Sequence, residues 1–135
     1  MFTIHHISLS VSNINNSLKF YEKLGFTEVL RWKADDDSIE ISHLKMGDIY
    51  LELFCFKDFE EAPLTSLKLD TDLPRIGMKH FGVKVQSIEE ARQWVLDNNL
   101  AKEITIKKGK TKIDYFFIQD PDGIFIEFVQ DDRGI

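Results

Sequence analysis

The chain has 135 residues, which is the size of about one domain. Hydrophobic residues make up 43% and charged residues 30%, a globular composition that excludes general disorder. The 17 basic and 23 acidic side chains give a net charge of -6, which disfavours binding to duplex nucleic acid or to an anionic membrane. No apolar run approaches the roughly 20 residues of a membrane span, and residues 1–20 do not resemble a signal peptide. We therefore expect a cytoplasmic protein, and its one cysteine, Cys55, excludes an internal disulfide.

The first half of the chain predicts a strand, a helix and three further strands. Residues 3–11 alternate between apolar and polar side chains, as in a strand with one buried face. Ser12 or Asn13 can cap a helix whose apolar residues recur on one face, and Gly25 stands where that helix should end. Three strands are then predicted, at residues 26–33, 39–46 and 49–56.

The second half of the chain repeats this order. The run from His80 to Val85 matches the run from His6 to Val11, and a strand motif that begins at Gly47 returns near residue 122. Ser87 has the spacing of a capping box before a helix. The predicted elements are a strand at 80–86, a helix at 88–98, and strands near 103–107, 113–119 and 124–130.

This repeat predicts an α+β fold made of two βαβββ modules. The first module covers residues 1–57 and the second covers 77–135. Residues 58–76 form a linker, because this segment is polar, contains two of the three prolines and has no clear period. One module leaves one face of its sheet uncovered, so we expect the two modules to pack together.

Four side chains with metal-binding chemistry fall at equivalent points of the repeat. Because side chains alternate along a strand, His6 and Glu52 should lie on the face away from the helix, as should His80 and Glu127. A lone carboxylate is costly among the apolar neighbours of these glutamates, and convergence on one cation would remove that cost. Two neutral imidazoles and two carboxylates suit a divalent Ni, Co, Zn, Mn or Fe ion in a cleft, with positions open for substrate. His43, on the predicted third strand, is a weaker candidate for lining the same pocket.

The same residues resemble the vicinal oxygen chelate superfamily, which includes glyoxalase I, fosfomycin-resistance thiol transferases and extradiol dioxygenases. The resemblance extends over essentially the whole chain, and it is carried by His6, Phe20-Tyr21 before Leu24-Gly25-Phe26, His80, and Asp120-Pro121-Asp122-Gly123 before Glu127. It implies that the metal ligands are the glyoxalase I set, here His6, Glu52, His80 and Glu127. It also implies a homodimer and a lyase or isomerase reaction, in which Glu127 or Glu52 moves a proton next to a metal-chelated carbonyl.

Two departures from the glyoxalase I pattern bear on the substrate. Ser10 stands where the bacterial enzymes usually have an arginine that helps to hold glutathione, and the asparagine expected shortly after Glu52 is missing from residues 53–58. We therefore expect a small-molecule substrate with adjacent oxygens, whose identity, metal and thiol the sequence leaves open. The alternatives are an Fe(II) ring-cleaving dioxygenase, a thiol transferase that confers resistance, and a metal-free drug-binding protein.

Overall fold

Alternating apolar and polar residues build one four-stranded sheet in each half of the chain. The computed structural model describes residues 1–135 and divides them into two compact units, residues 1–61 and 62–135. The predicted α+β class, with a strand, a helix and three strands in each half, is confirmed. The module boundaries given above and the metal-binding cleft stay predictions.

In the first unit, the sheet joins the first strand of the unit to the last. The elements are β1 His6–Ser10, α1 Ile14–Lys23, β2 Thr27–Lys33, β3 Ile39–Met46 and β4 Ile49–Phe56. The strand order is β1-β4-β3-β2, with β1 parallel to β4 and the other pairs antiparallel. This order puts residues that are far apart in sequence side by side on one sheet.

Helix α1 covers one face of that sheet. Asn13 caps the helix by accepting a hydrogen bond from the backbone N–H of Asn16 at 3.0 Å, and Gly25 follows the helix with a φ of +102°, which favours glycine. The buried apolar residues of the unit come from α1, from β3 and β4, and from the positions just after β1 and just before β2. They are Val11, Ile14, Leu18, Phe20, Tyr21, Phe26, Leu44, Leu51 and Leu53. The other face of the sheet carries the polar residues discussed below.

The second unit has the same order after two short helical segments. These segments are a 3-10 helix at Leu64–Leu67 and α2 Leu69–Asp72. The remaining elements are β5 Phe81–Lys84, α3 Ile88–Asp97, β6 Lys107–Lys108, β7 Asp114–Gln119 and β8 Phe125–Gln130. The sheet order is β5-β8-β7-β6, with β5 parallel to β8, and Ser87 caps α3 by accepting from the N–H of Glu90 at 3.3 Å.

The strand predicted near residues 103–107 begins later and is much shorter than expected. Strand β6 contains only Lys107 and Lys108, which pair with Tyr115 and Asp114. The preceding segment turns towards α3 instead, because the side chain of Ile104 is buried and its carbonyl accepts a hydrogen bond from Arg92 Nε at 3.1 Å. Packing against the helix therefore takes the place of strand pairing there.

No helix of the structure combines the length and the apolar character that crossing a membrane requires.

Candidate functional site

The first candidate pair lies on the open face of the first sheet. Ser8 of β1 pairs with Glu52 of β4, and His6 lies two residues before Ser8 on the same face. The Nε2 atom of His6 is 3.6 Å from Oε2 of Glu52. The Nδ1 atom of His6 lies 2.9 Å from Nδ1 of His5, whose ring stacks on Tyr50. Contacts with the rest of the unit thus reach both nitrogens of the His6 ring.

The Glu52 carboxylate has two further polar partners. Ser8 Oγ donates to Oε2 at 2.5 Å, and His43 Nε2 donates to Oε1 at 3.0 Å. The side chain of Glu52 is only 19% exposed. The hydrogen bond from Ser8 lowers the pKa of Glu52, whereas burial raises it. The hydrogen bond from His43 lowers the pKa further, as do the charges of His43 and His6. Glu52 is therefore held as a carboxylate.

The second candidate pair occupies the equivalent place in the second unit. The Nε2 atom of His80 lies 3.2 Å from Oε2 of Glu127, whose side chain is 17% exposed. The ring of Phe117 meets the His80 ring edge to face at 4.8 Å, and Phe117 also contacts Phe125 in the same way. The Nδ1 atom of His80 is buried without a hydrogen-bond partner, so this imidazole uses only one of its two nitrogens within the protein.

The geometry of each pair fits adjacent ligands of one divalent metal ion. Two ligand atoms that each lie about 2.1 Å from a metal are about 3.0 Å apart at a right angle and about 3.4 Å apart in a tetrahedron. The His–Glu separations of 3.6 and 3.2 Å are close to these values. The mixed nitrogen and oxygen donors fit the same chemistry.

The structure brings the predicted ligands together only two at a time. His6 lies near Glu52 and His80 lies near Glu127, but no group of three or more His, Cys, Asp or Glu side chains is placed to hold a metal ion. The complete ligand set therefore stays a prediction.

The contact between His43 and Glu52 is not among the predictions above, although the sequence contains a signal for it. Gly47 and Asp48 form a two-residue turn that pairs Met46 with Ile49, and counting back three residues on each side pairs His43 with Glu52. The hairpin register alone would thus have placed these two side chains on one face.

The comparisons with known proteins identify the family of the chain. Residues 3–128 match the family model of the Glyoxalase/Bleomycin resistance protein/Dioxygenase superfamily. The chain belongs to this superfamily. Its members commonly use divalent metal ions and bind small molecules.

Individual relatives extend over most of the chain. A lactoylglutathione lyase of Neisseria meningitidis is 29% identical, and the alignment covers 96% of this chain and 91% of that protein. The metallothiol transferase FosB of Staphylococcus saprophyticus is 25% identical, covering 90% of this chain and 72% of that protein. A crystal structure of a glyoxalase family protein from Enterococcus faecalis is 27% identical, covers 95% of this chain and 97% of its own, and has a TM-score of 0.78.

Proposed function

We propose that this glyoxalase superfamily member is a metal-dependent isomerase of the glyoxalase I type. Its protein ligands would be His6, Glu52, His80 and Glu127. One observation carries the proposal: a histidine and a glutamate approach to 3.6 Å in one unit and to 3.2 Å at the equivalent position of the other. The similarity to a lactoylglutathione lyase over 96% of the chain supports the same reaction type.

The chemistry assigned to these residues is proton transfer between neighbouring carbons. A divalent ion, when bound, supplies Lewis acidity to a substrate carbonyl and makes the adjacent C–H more acidic. Glu127 or Glu52 would accept that proton and return it to the next carbon; this role is supported by the largely buried position of each carboxyl group beside a histidine. The net result is an isomerisation in which no atom is gained or lost.

The proposed substrate is a small molecule with adjacent oxygens, such as the adduct of a 2-oxoaldehyde with a thiol. Ser10 offers a neutral hydroxyl where the bacterial glyoxalases have an arginine for glutathione. The carboxylates of glutathione would lose a charge-assisted contact there, which is about twice as strong as a neutral hydrogen bond. We therefore place a less anionic thiol adduct ahead of the glutathione adduct.

Metal content is the first test. Tag-free protein is stripped with a chelator, reconstituted separately with Ni, Co, Zn, Mn and Fe(II), and analysed by elemental mass spectrometry. We expect about one equivalent of at least one ion per chain and its loss in Glu127→Gln, whereas the exposed control Glu103→Gln should bind as the parent does. If none of the five ions binds, the catalytic proposal fails and a metal-free binding protein becomes the better account.

Turnover distinguishes the isomerase from a thiol transferase, the second candidate. The similarity to a metallothiol transferase favours that candidate. Isomerisation converts the hemithioacetal, formed from methylglyoxal and the thiol, into a 2-hydroxy thioester. Transfer to an epoxide such as fosfomycin opens the ring and leaves the sulfur in a thioether, so the product and not the loss of free thiol distinguishes the two reactions. Both assays use the metal-loaded protein, with glutathione and with cysteine as thiols. Formation of the thioether without the thioester would overturn the isomerase proposal.

We also propose that the chain forms a homodimer, as the family resemblance implies. Light scattering coupled to size exclusion should then give twice the chain mass of 15.7 kDa.

A further inference from the structure

The two candidate pairs differ in the number of partners that hold each glutamate. Glu52 receives hydrogen bonds from Ser8 at 2.5 Å and from His43 at 3.0 Å, in addition to its approach to His6. Glu127 has one polar partner, which is His80. The two carboxylates are equivalent in the repeat, but only one of them is fixed from several sides.

The strand register explains this difference. Glu52 pairs with Ser8 on one neighbouring strand and with His43 on the other. Glu127 pairs with Gly82 and Phe117 at the same two positions. Directly paired residues point to the same face of a sheet, so the side chains at these positions are the natural neighbours of each glutamate.

The two residues that pair directly with Glu127 supply no hydrogen-bond donor from their side chains. Gly82 has no side chain, and Phe117 presents a ring that makes edge-to-face contacts with His80, Tyr115 and Phe125. Glu127 therefore has one side-chain hydrogen-bond partner, the imidazole of His80. The environment of Glu52 contains two donors that approach different oxygens of the carboxylate and so restrict its rotation.

We propose that His43 and Ser8 are positioning residues that hold the Glu52 carboxylate in one orientation for metal binding, and that Glu127 has no such residues. This inference rests on the proposed metal site. The two glutamates would then differ as ligands: the Glu52 carboxylate is held in one orientation, and the Glu127 carboxylate can rotate. Hydrogen bonds to ligating carboxylates typically change metal affinity by about 10- to 100-fold when they are removed, which sets the size of the expected effect.

The test compares variants in their binding of Co²⁺ alone, measured by competition with a chelator and by the visible absorption spectrum of the bound ion. His43→Phe gives the first unit the side chain that the second unit carries at Phe117, so the sheet should accept it. We expect about 10- to 100-fold weaker Co²⁺ binding and an altered spectrum. His43→Gln keeps an N–H donor and should restore affinity to within about threefold of the parent.

Ser8 is tested with a matched control on the same strand. Ser8→Ala removes the donor to Glu52, whereas Ser10→Ala removes a hydroxyl two residues further along the same face. Only the first substitution should weaken Co²⁺ binding. Thermal unfolding of the metal-free variants shows that each is folded before binding is measured.

The outcomes separate this inference from the proposed function. If the parent protein binds no metal, both fail. If the parent binds Co²⁺ and His43→Phe binds it equally well with the same spectrum, the positioning role fails and the metal site stands. If His43→Gln loses as much affinity as His43→Phe, ring packing and not the hydrogen bond is responsible, which also overturns the inference.

Discussion

Two fully buried serines of the first unit should respond in opposite ways to the same substitution. Ser17 in α1 and Ser42 in β3 are both 0% exposed. The hydroxyl of Ser17 has no hydrogen-bond partner, whereas Ser42 Oγ donates to Oε1 of Glu28 at 2.8 Å. Replacement by alanine removes an unsatisfied polar atom from one site and a charge-assisted hydrogen bond from the other.

The expected change in stability at Ser17 follows from three contributions. Removing an unsatisfied buried hydroxyl recovers about 1–3 kcal/mol of desolvation cost. Alanine also has a higher helix propensity than serine, which adds about 0.5 kcal/mol. The space left by one oxygen atom costs a few tenths of a kcal/mol, at about 24 cal/mol per Å³ of cavity. Ser17→Ala should therefore raise the free energy of unfolding by about 1–3 kcal/mol.

The expected change at Ser42 has the opposite sign. Burial raises the pKa of Glu28, but hydrogen bonds from Arg31 and Ser42 more than offset this, so the side chain is held as a carboxylate. A hydrogen bond to a charged group contributes about 1.5–3 kcal/mol, and Ser42→Ala should lower the free energy of unfolding by that amount.

Urea unfolding measures both changes on the same transition, because both serines belong to the unit formed by residues 1–61. The fluorescence of Trp32 reports on that unit in a Trp94→Phe background. The variants should differ by at least about 2.5 kcal/mol, with equal dependence on denaturant. Destabilisation by Ser17→Ala, or an unchanged midpoint for Ser42→Ala, would refute the assignment of hydrogen bonds to these hydroxyls.

Three further changes have definite expected outcomes. Gly123→Ala should lower the free energy of unfolding by about 1–2 kcal/mol because φ is +82° there. The contact of the new Cβ with Leu67 should add little, because the end of that side chain can move. Gly82→Ala, whose new Cβ would lie 3.8 Å from its nearest neighbours, should leave thermal unfolding unchanged. Because the pKa of Glu28 is lowered on folding, its contribution to stability is complete above the unfolded pKa of about 4.3 and disappears as the pH falls through the folded value. In Glu28→Gln, the free energy of unfolding measured in urea should therefore depend less on pH in that acid range. A chelator should lower the melting temperature of the metal-loaded parent and leave that of Glu127→Gln unchanged, since an ion at 100 times its Kd stabilises by about 2.7 kcal/mol.

The sequence predicts the parts of this fold in which a periodic pattern can repeat several times. Strands β3 and β4 are each eight residues long, so their alternation fixes both their ends and the face of Glu52. The Asp120–Gly123 turn likewise places Glu127 on the open face of β8. The two longer helices, α1 and α3, are predictable because an N-cap residue precedes two to three turns of apolar spacing in each.

The remaining parts depend on contacts that a local pattern does not contain. The 3-10 helix at Leu64–Leu67 and α2 at Leu69–Asp72 are four residues each, too short for a helical period to repeat, so residues 58–76 look irregular in sequence. Ile104 lies in a segment with strand composition, but its side chain is buried and its carbonyl accepts a hydrogen bond from Arg92 of α3, so this segment does not pair as a strand. The contacts of Glu52 depend on which residues face it across the sheet, and only the strand register supplies that information.

The parallel pairing of the first and last strands of each unit also bears on when the proposed metal site could form during folding. His80 and Glu127 are separated by 47 positions, and the other pair spans a similar length of chain. Closing a flexible loop of that length costs about 3 kcal/mol in chain entropy. A chain that is still being synthesised lacks the glutamate of a pair until the last strand of the unit has been made. In an unfolded chain, the entropy cost of closing the loop is subtracted from the binding free energy of the ion. At the proposed metal site, tight binding of an ion would therefore require that a unit is complete.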